Sequence, residues 1–254
     1  MYCKIEDYGL IGDCQTAALV ARDGSVDWLC WPAFDSDACL AAILGTAKNG
    51  RWRIAPAGNF SKPSRRYWDN TLILETQFET VDGTVAPIDF MPPRGKASDI
   101  VCLVRGISGR VKLRMELVIR FGFGADVPWV RRTEDHSAVL AICSQDMTVL
   151  RTPVDTRGEG MTTVADFEVR AGETIPFVLT YGPSHPFAKA QVLFDRVAAV
   201  ANDLGLLAEE LDPVERRQLG NFPQALTHVA LINTAHNLSS ARRTSEKPVM
   251  QRSK

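Results

Sequence analysis

Residues 111–121 read VKLRMELVIRF, and their alternation constrains the fold more than any other stretch of the chain. Val111, Leu113, Met115, Leu117, Ile119 and Phe121 fall on one side of an extended backbone. Lys112, Arg114, Glu116 and Arg120 fall on the other, with Val118 alone out of step. A period of two gives a strand with one buried face and one wet face. Such a strand needs paired neighbours and a second layer over its apolar face.

The neighbours are legible too. Residues 16–32, TAALVARDGSVDWLCWP, read as a hairpin with Asp23-Gly24 as a two-residue turn of the primed type. Asp82-Gly83 separates LILETQFET from TVAPIDFMP in the same manner. DFEVRAGETIPFVLTYG predicts a third hairpin turning near Ala171-Gly172. Many short strands punctuated by Gly, Pro and Asp indicate a mainly β fold, an antiparallel β-sandwich over residues 1–185. One helix is predicted within it, over ACLAAILG, where Ser36 or Asp37 would accept the first amide hydrogens and Gly45 would end the turn.

After residue 186 the period changes. Ala190, Leu193, Phe194, Val197 and Ala201 fall at helical spacing, and Gly205 is a plausible stop. NFPQALTHVALINTAHNL predicts a second helix, with Asn221 near its start and Pro223 in its first turn. Residues 186–239 therefore read as a short helical segment. Residues 240–254, basic and aperiodic, read as a disordered tail. All five tryptophans precede residue 130, which agrees with a boundary near 185.

Composition removes several functions. A formal net charge of −1 gives no electrostatic basis for nucleic-acid binding. No apolar run approaches the ~18 residues of a membrane span, so no membrane partner is expected. The opening MYCKIEDYGLIGD lacks a basic region followed by an apolar core, so no secretory leader is expected. Six cysteines are scattered without a CxxC pair, which predicts free thiols in a reducing cytoplasm, no metal and no cofactor.

Two stretches resemble glycoside hydrolase family 15, the bacterial glucoamylase and trehalase-like enzymes. Residues 9–45, GLIGDCQTAALVARDGSVDWLCWPAFDSDACLAAILG, followed by GRWRIAP, resemble the opening of that family's N-terminal β-sandwich. LFDRVAAVANDLGLLAEELDP with RQLGNFPQALTHVALINTAHNL resembles the end of its catalytic (α/α)6 barrel. By that resemblance Glu209, the first Glu of GLLAEE, is the general base that activates water for inverting hydrolysis of an α-glucosidic bond. The family often has an aromatic residue where this chain has Leu211 and Leu226.

Inversion also needs a general acid, with the two carboxyl groups ~6.5–9.5 Å apart. Glu210 is the adjacent residue, and helical neighbours one apart do not face each other. Asp212 is suited to the turn before Pro213. Twelve barrel helices need roughly 200 residues, and residues 186–254 supply about a third of that. The resemblance therefore implies a truncated family member with trehalose or an α-glucan as the parent substrate, inactive alone. Its two helices would expose apolar faces and favour self-association. The alternatives are a carbohydrate-binding or interaction module, and a hydrolase active only with a partner that supplies the barrel. Trp28 and Trp31, in DWLCW, are candidates for stacking on a sugar. Trp28 shares a face with Val26 and Cys30, which favours packing. His228 and His236 belong to no ligand array and read as packing or surface residues.

Overall fold

The computed structural model describes residues 3–95, 97–133, 135–184 and 187–245, with backbone alone for 187–191 and 236–245. It divides into two compact units, Met1–Gly182 and Pro183–Lys254. The first is built from β1 (Gly9–Gly12), β2 (Ala17–Val20), β3 (Ser25–Cys30), β4 (Ala38–Leu40), β5 (Arg51–Pro56), β6 (Ser64–Tyr67), β7 (Leu74–Thr80) and β8 (Gly83–Phe90). The chain continues through β9 (Ser98–Val118), β10 (Trp129–Arg132), β11 (Ala138–Cys143), β12 (Asp146–Arg151), β13 (Arg157–Glu159), β14 (Thr162–Arg170) and β15 (Thr174–Pro183). This is the antiparallel sandwich that the alternation predicts.

β9, 21 residues long, belongs to both layers. Its first half pairs with β8 and β15, and its second half with β5 and β14. One layer runs β6-β7-β8-β9-β15-β12-β11-β10, and the other runs β1-β2-β3-β5-β9-β14-β13 with β4 on β3. Along β9 the buried positions are Ser98, Ile100, Cys102 and Val104, then Val111, Leu113, Met115 and Leu117. The inward face thus passes from even to odd numbers across an exposed bend at 107–110. Gly109, at φ +65°, makes the bend possible: a Cβ there would stand 2.1 Å from the Asp82 carbonyl oxygen. The core between the layers includes Trp52, Phe78, Phe177, Leu113, Leu150 and Leu179, all fully buried.

Several expectations are corrected. The helix expected over 38–45 is β4 followed by a 3-10 turn at Ala42–Leu44. Ala38, Cys39, Leu40 and Ala41 are all buried, and a short run without a polar face fits a strand as well as a helix. The loop after β2 is longer than two residues. Gly24 N–H closes a turn onto the Ala21 carbonyl at 3.1 Å, and Ala21 N–H donates to Ser25 O at 2.7 Å. The segment containing Ala171-Gly172 joins strands of different layers, because β14 and β15 pair with opposite halves of β9 rather than with each other. Arg120, expected to be wet, is buried. Pro223 lies before its helix, which begins at Ala225.

The second unit holds α1 (Phe187–Ala198), a two-stranded ribbon of β16 (Glu210–Asp212) and β17 (Arg217–Leu219), and α2 (Ala225–Ser245). α2 runs past residue 239, into the stretch read as tail; residues 246–254 lie outside the described residues. No helix among the described residues is long and apolar enough to cross a membrane.

Candidate functional site

Glu209 sits just before β16 in a segment shaped by its polar side chains. The Asn202 carboxamide accepts from the N–H groups of Leu204 (3.0 Å) and Leu206 (2.8 Å). Gln218 Nε2 donates to the carbonyls of Val200 (2.9 Å) and Leu206 (3.1 Å). Leu207 and Ala208 are buried, and Glu209 follows them into solvent.

Asn221, two residues past β17, holds Glu209 with three hydrogen bonds. Glu209 N–H donates to the Asn221 carbonyl at 3.0 Å, and Asn221 Nδ2 (2.9 Å) and N–H (3.4 Å) donate back to Glu209 Oε2. Gly220, at φ +76°, leaves room for this, since a Cβ there would meet Glu209 Cβ at 3.1 Å and Oε2 at 3.2 Å. Asn221, expected to start the helix, is thus committed to the carboxylate. Glu209 Oε1 has no partner among the described residues.

The other local groups are placed differently. Glu210 lies in a strand rather than at a helix end, so adjacent side chains leave on opposite faces. Asp212 Oδ1 accepts from Val214 N–H (2.8 Å) and Glu215 N–H (3.1 Å), which makes it a turn residue. His228 joins α2 to the segment before Glu209. Leu207 N–H can only donate, so His228 Nε2 accepts it at 3.3 Å, and Nδ1 must carry the proton shared with the Gln224 carbonyl at 2.7 Å. The ring is therefore a packing histidine that joins two segments. The side chain of His236 lies outside the described residues. Among the described residues no group of three or more His, Cys, Asp and Glu could hold a metal ion.

The two tryptophans of DWLCW part company. Trp31 is 3% exposed; its Nε1 donates to Ser98 Oγ at 2.7 Å and its ring lies 5.8 Å from that of Tyr181. No face of Trp31 is open to a sugar. Trp28 is half-buried against Cys30, Ala38 and Ala41, with the exposed ring of Phe123 at 6.3 Å. Ser98 also ties Trp31 into a buried ion pair that sequence reading missed. Arg94 Nε donates to Asp13 Oδ2 at 2.8 Å, and Ser98 Oγ donates to the same oxygen at 3.0 Å. Burial raises the Asp13 pKa, but the N–H groups of Gln15 and Thr16, with Arg94 and Ser98, outweigh it and hold the carboxyl below its ordinary range. The pair joins residues 81 apart in sequence, and no local pattern announces such a contact.

Comparison with known proteins agrees with the architecture. Residues 2–198 match the family described as "Trehalase-like, N-terminal", and residues 179–236 match "Glycosyl hydrolases family 15". A trehalase of Thermoplasma volcanium is 31% identical over 139 residues, which is 52% of this chain and 22% of that protein. A trehalase of Mycolicibacterium smegmatis is 43% identical over 79 residues, 31% of this chain and 12% of that protein. Trehalase 1 of Sulfolobus acidocaldarius is 30% identical over 148 residues, 58% of this chain and 25% of that protein. In each comparison the match spans a quarter or less of the relative's own length.

Proposed function

The chain belongs to the trehalase-like N-terminal family, and from that premise we propose that it is a truncated family 15 protein of α-glucoside metabolism that is inactive alone. One observation carries the reading. The family 15 match begins at residue 179, within β15, and this stretch resembles the end of the barrel rather than its beginning, which supports an interior deletion. Glu209 is the remnant of the catalytic base. Its exposed carboxylate is held by Asn221, and the nearby Asp212 is committed to its own turn. A base without an acid across the glycosidic bond activates water but leaves the departing oxygen unprotonated. The six cysteines are free thiols, which supports a reducing cytoplasm. Val192, Leu193 and Val197 of α1, with Leu226, Val229 and Ile232 of α2, are exposed, which supports self-association.

The test is glucose release from trehalose, maltose and soluble starch by the purified chain and by Glu209→Gln. We expect no release from either. Release that vanishes in the variant would overturn the reading, because it requires a second carboxyl group. A second reading, sugar binding by the sandwich, is favoured by Trp28 with its neighbour Phe123. Titration of the same protein with trehalose should then change tryptophan emission; a flat response at millimolar sugar removes it.

A further inference from the structure

At one end of the sandwich the layers part around a cavity of about 430 Å3. Its walls come from β9, β13 and β14 of one layer and from β10, β11, β12 and β15 of the other. Leu117, Ile119, Ala141, Leu150 and Leu179 give it an aliphatic floor. Trp129, 74% exposed, and the exposed Met161 stand at its lip. This volume lies within the ~300–1,000 Å3 of small-molecule pockets. Around the apolar floor the lining is polar, with four threonines, the buried Arg120 and the exposed Arg131, Arg132 and Arg157.

Arg120 is the polar group that sets this cavity apart. It lines the wall while only 8% exposed. Its Nη1 donates to the carbonyl of Ile119 at 2.6 Å, and no carboxylate among the described residues pairs with it. Burial alone pulls its pKa below the ordinary arginine range. Arg157, at the same mouth, differs: it is exposed and bound to Glu159 (2.6 Å) and Asp166 (2.5 Å). A buried guanidinium beside hydrocarbon is costly until an anion meets it. Its planar fork fits a carboxylate with two parallel hydrogen bonds. Thr148, Thr156, Thr162 and Thr163 also line the cavity, so a sugar would find hydroxyl partners but would press its own hydroxyls on the aliphatic floor, and an inorganic anion would leave that floor empty.

We propose that this cavity binds an amphipathic monocarboxylate, a medium-chain fatty acid, with its alkyl chain on the aliphatic floor and its carboxylate on Arg120. The cavity lies wholly in the sandwich, so the proposal does not depend on Glu209 or on the fate of the barrel. Calorimetric titration of the full chain with sodium decanoate, 1-decanol and sodium acetate tests it. Decanoate should bind saturably at one site, decanol at least about tenfold more weakly, and acetate not at all. Arg120→Met should bring decanoate down to the affinity of decanol and leave decanol unchanged. No decanoate binding below millimolar concentration, equal binding of decanoate and decanol, or a variant that binds decanoate as before would each overturn the proposal. If Arg120→Met does not fold, the contrast of decanoate with decanol on the unaltered chain decides alone.

Discussion

The two units solve the problem of burial in opposite ways. In the sandwich, strands from both layers turn Trp52, Phe78, Phe177 and their neighbours inward until solvent is gone. In the described part of 183–245, Leu207 and Ala208 are the buried residues, and order comes from Asn202, Gln218 and His228 holding backbone groups and from Asn221 holding the Glu209 carboxylate. Apolar contact is non-directional and grows with area, whereas each polar contact fixes one geometry and contributes little net stability. The sandwich is thus deep and tolerant of surface change. The helical unit is shallow and depends on a few named side chains. Val192, Leu193 and Val197 of α1 and Leu226, Val229 and Ile232 of α2 stay exposed.

This contrast can be broken by experiment, because all five tryptophans lie in the sandwich while the α-helices among the described residues, α1 and α2, lie in the second unit. The largest effect should follow Phe78→Ala, which removes a fully buried ring packed edge-on against Phe60 at 4.9 Å. We expect a loss of about 3–5 kcal/mol in urea unfolding followed by tryptophan emission. The helical signal at 222 nm should keep its own transition. Coincident shifts in both signals would mean that the units unfold as one body.

A smaller effect is expected for Asp89→Asn. Asp89 is buried and its carboxyl is raised by desolvation to about 7, against which a hydrogen bond to Cys102 acts weakly. Between about pH 4 and 7 the unfolded chain is ionised at this position while the folded chain keeps its proton, so stability falls as pH rises through that window. Asn should flatten part of that slope, on the order of 2 kcal/mol across the window. Asp27 and Asp146, also raised by burial, leave a residue of it. Urea midpoints by tryptophan emission at pH 4.5 and 7 measure the difference, and an unchanged slope would show that Asp89 ionises freely in the fold.

The smallest effect belongs to Asn221→Ala. Loss of its bond to Glu209 should cost about 1 kcal/mol and speed amide exchange near Leu207–Glu209, with no change in the tryptophan-monitored transition. A shift of that transition would make the polar segment part of the sandwich's stability.

Period-two alternation made the sandwich legible, since one residue of phase decides whether Leu113 is buried or wet. What stayed hidden was whatever depends on residues distant in sequence. Nothing near Asp13 announces Arg94, and nothing near Gly172 tells a hairpin from a crossing between layers. The burial of Arg120 did leave a trace. Val118, out of step with the alternation, is itself buried, so the wet face of the strand was ending there. At the candidate site, family likeness singled out Glu209. That Asn221 grips it through a left-handed glycine is a matter of loop geometry that no periodicity encodes.

The double membership of β9 has a consequence for how the chain is made. As synthesis proceeds from the N-terminus, β9 can align with β5 and β8, both already present. Its other edges wait for β14 and β15, which are translated last in the domain. Until residue 183 has left the ribosome, the long strand offers unpaired amide and carbonyl rows on two layers at once, the kind of edge that recruits foreign strands. The sandwich closes in its final residues, and the pace of translation between 119 and 183 governs how long that edge stays open.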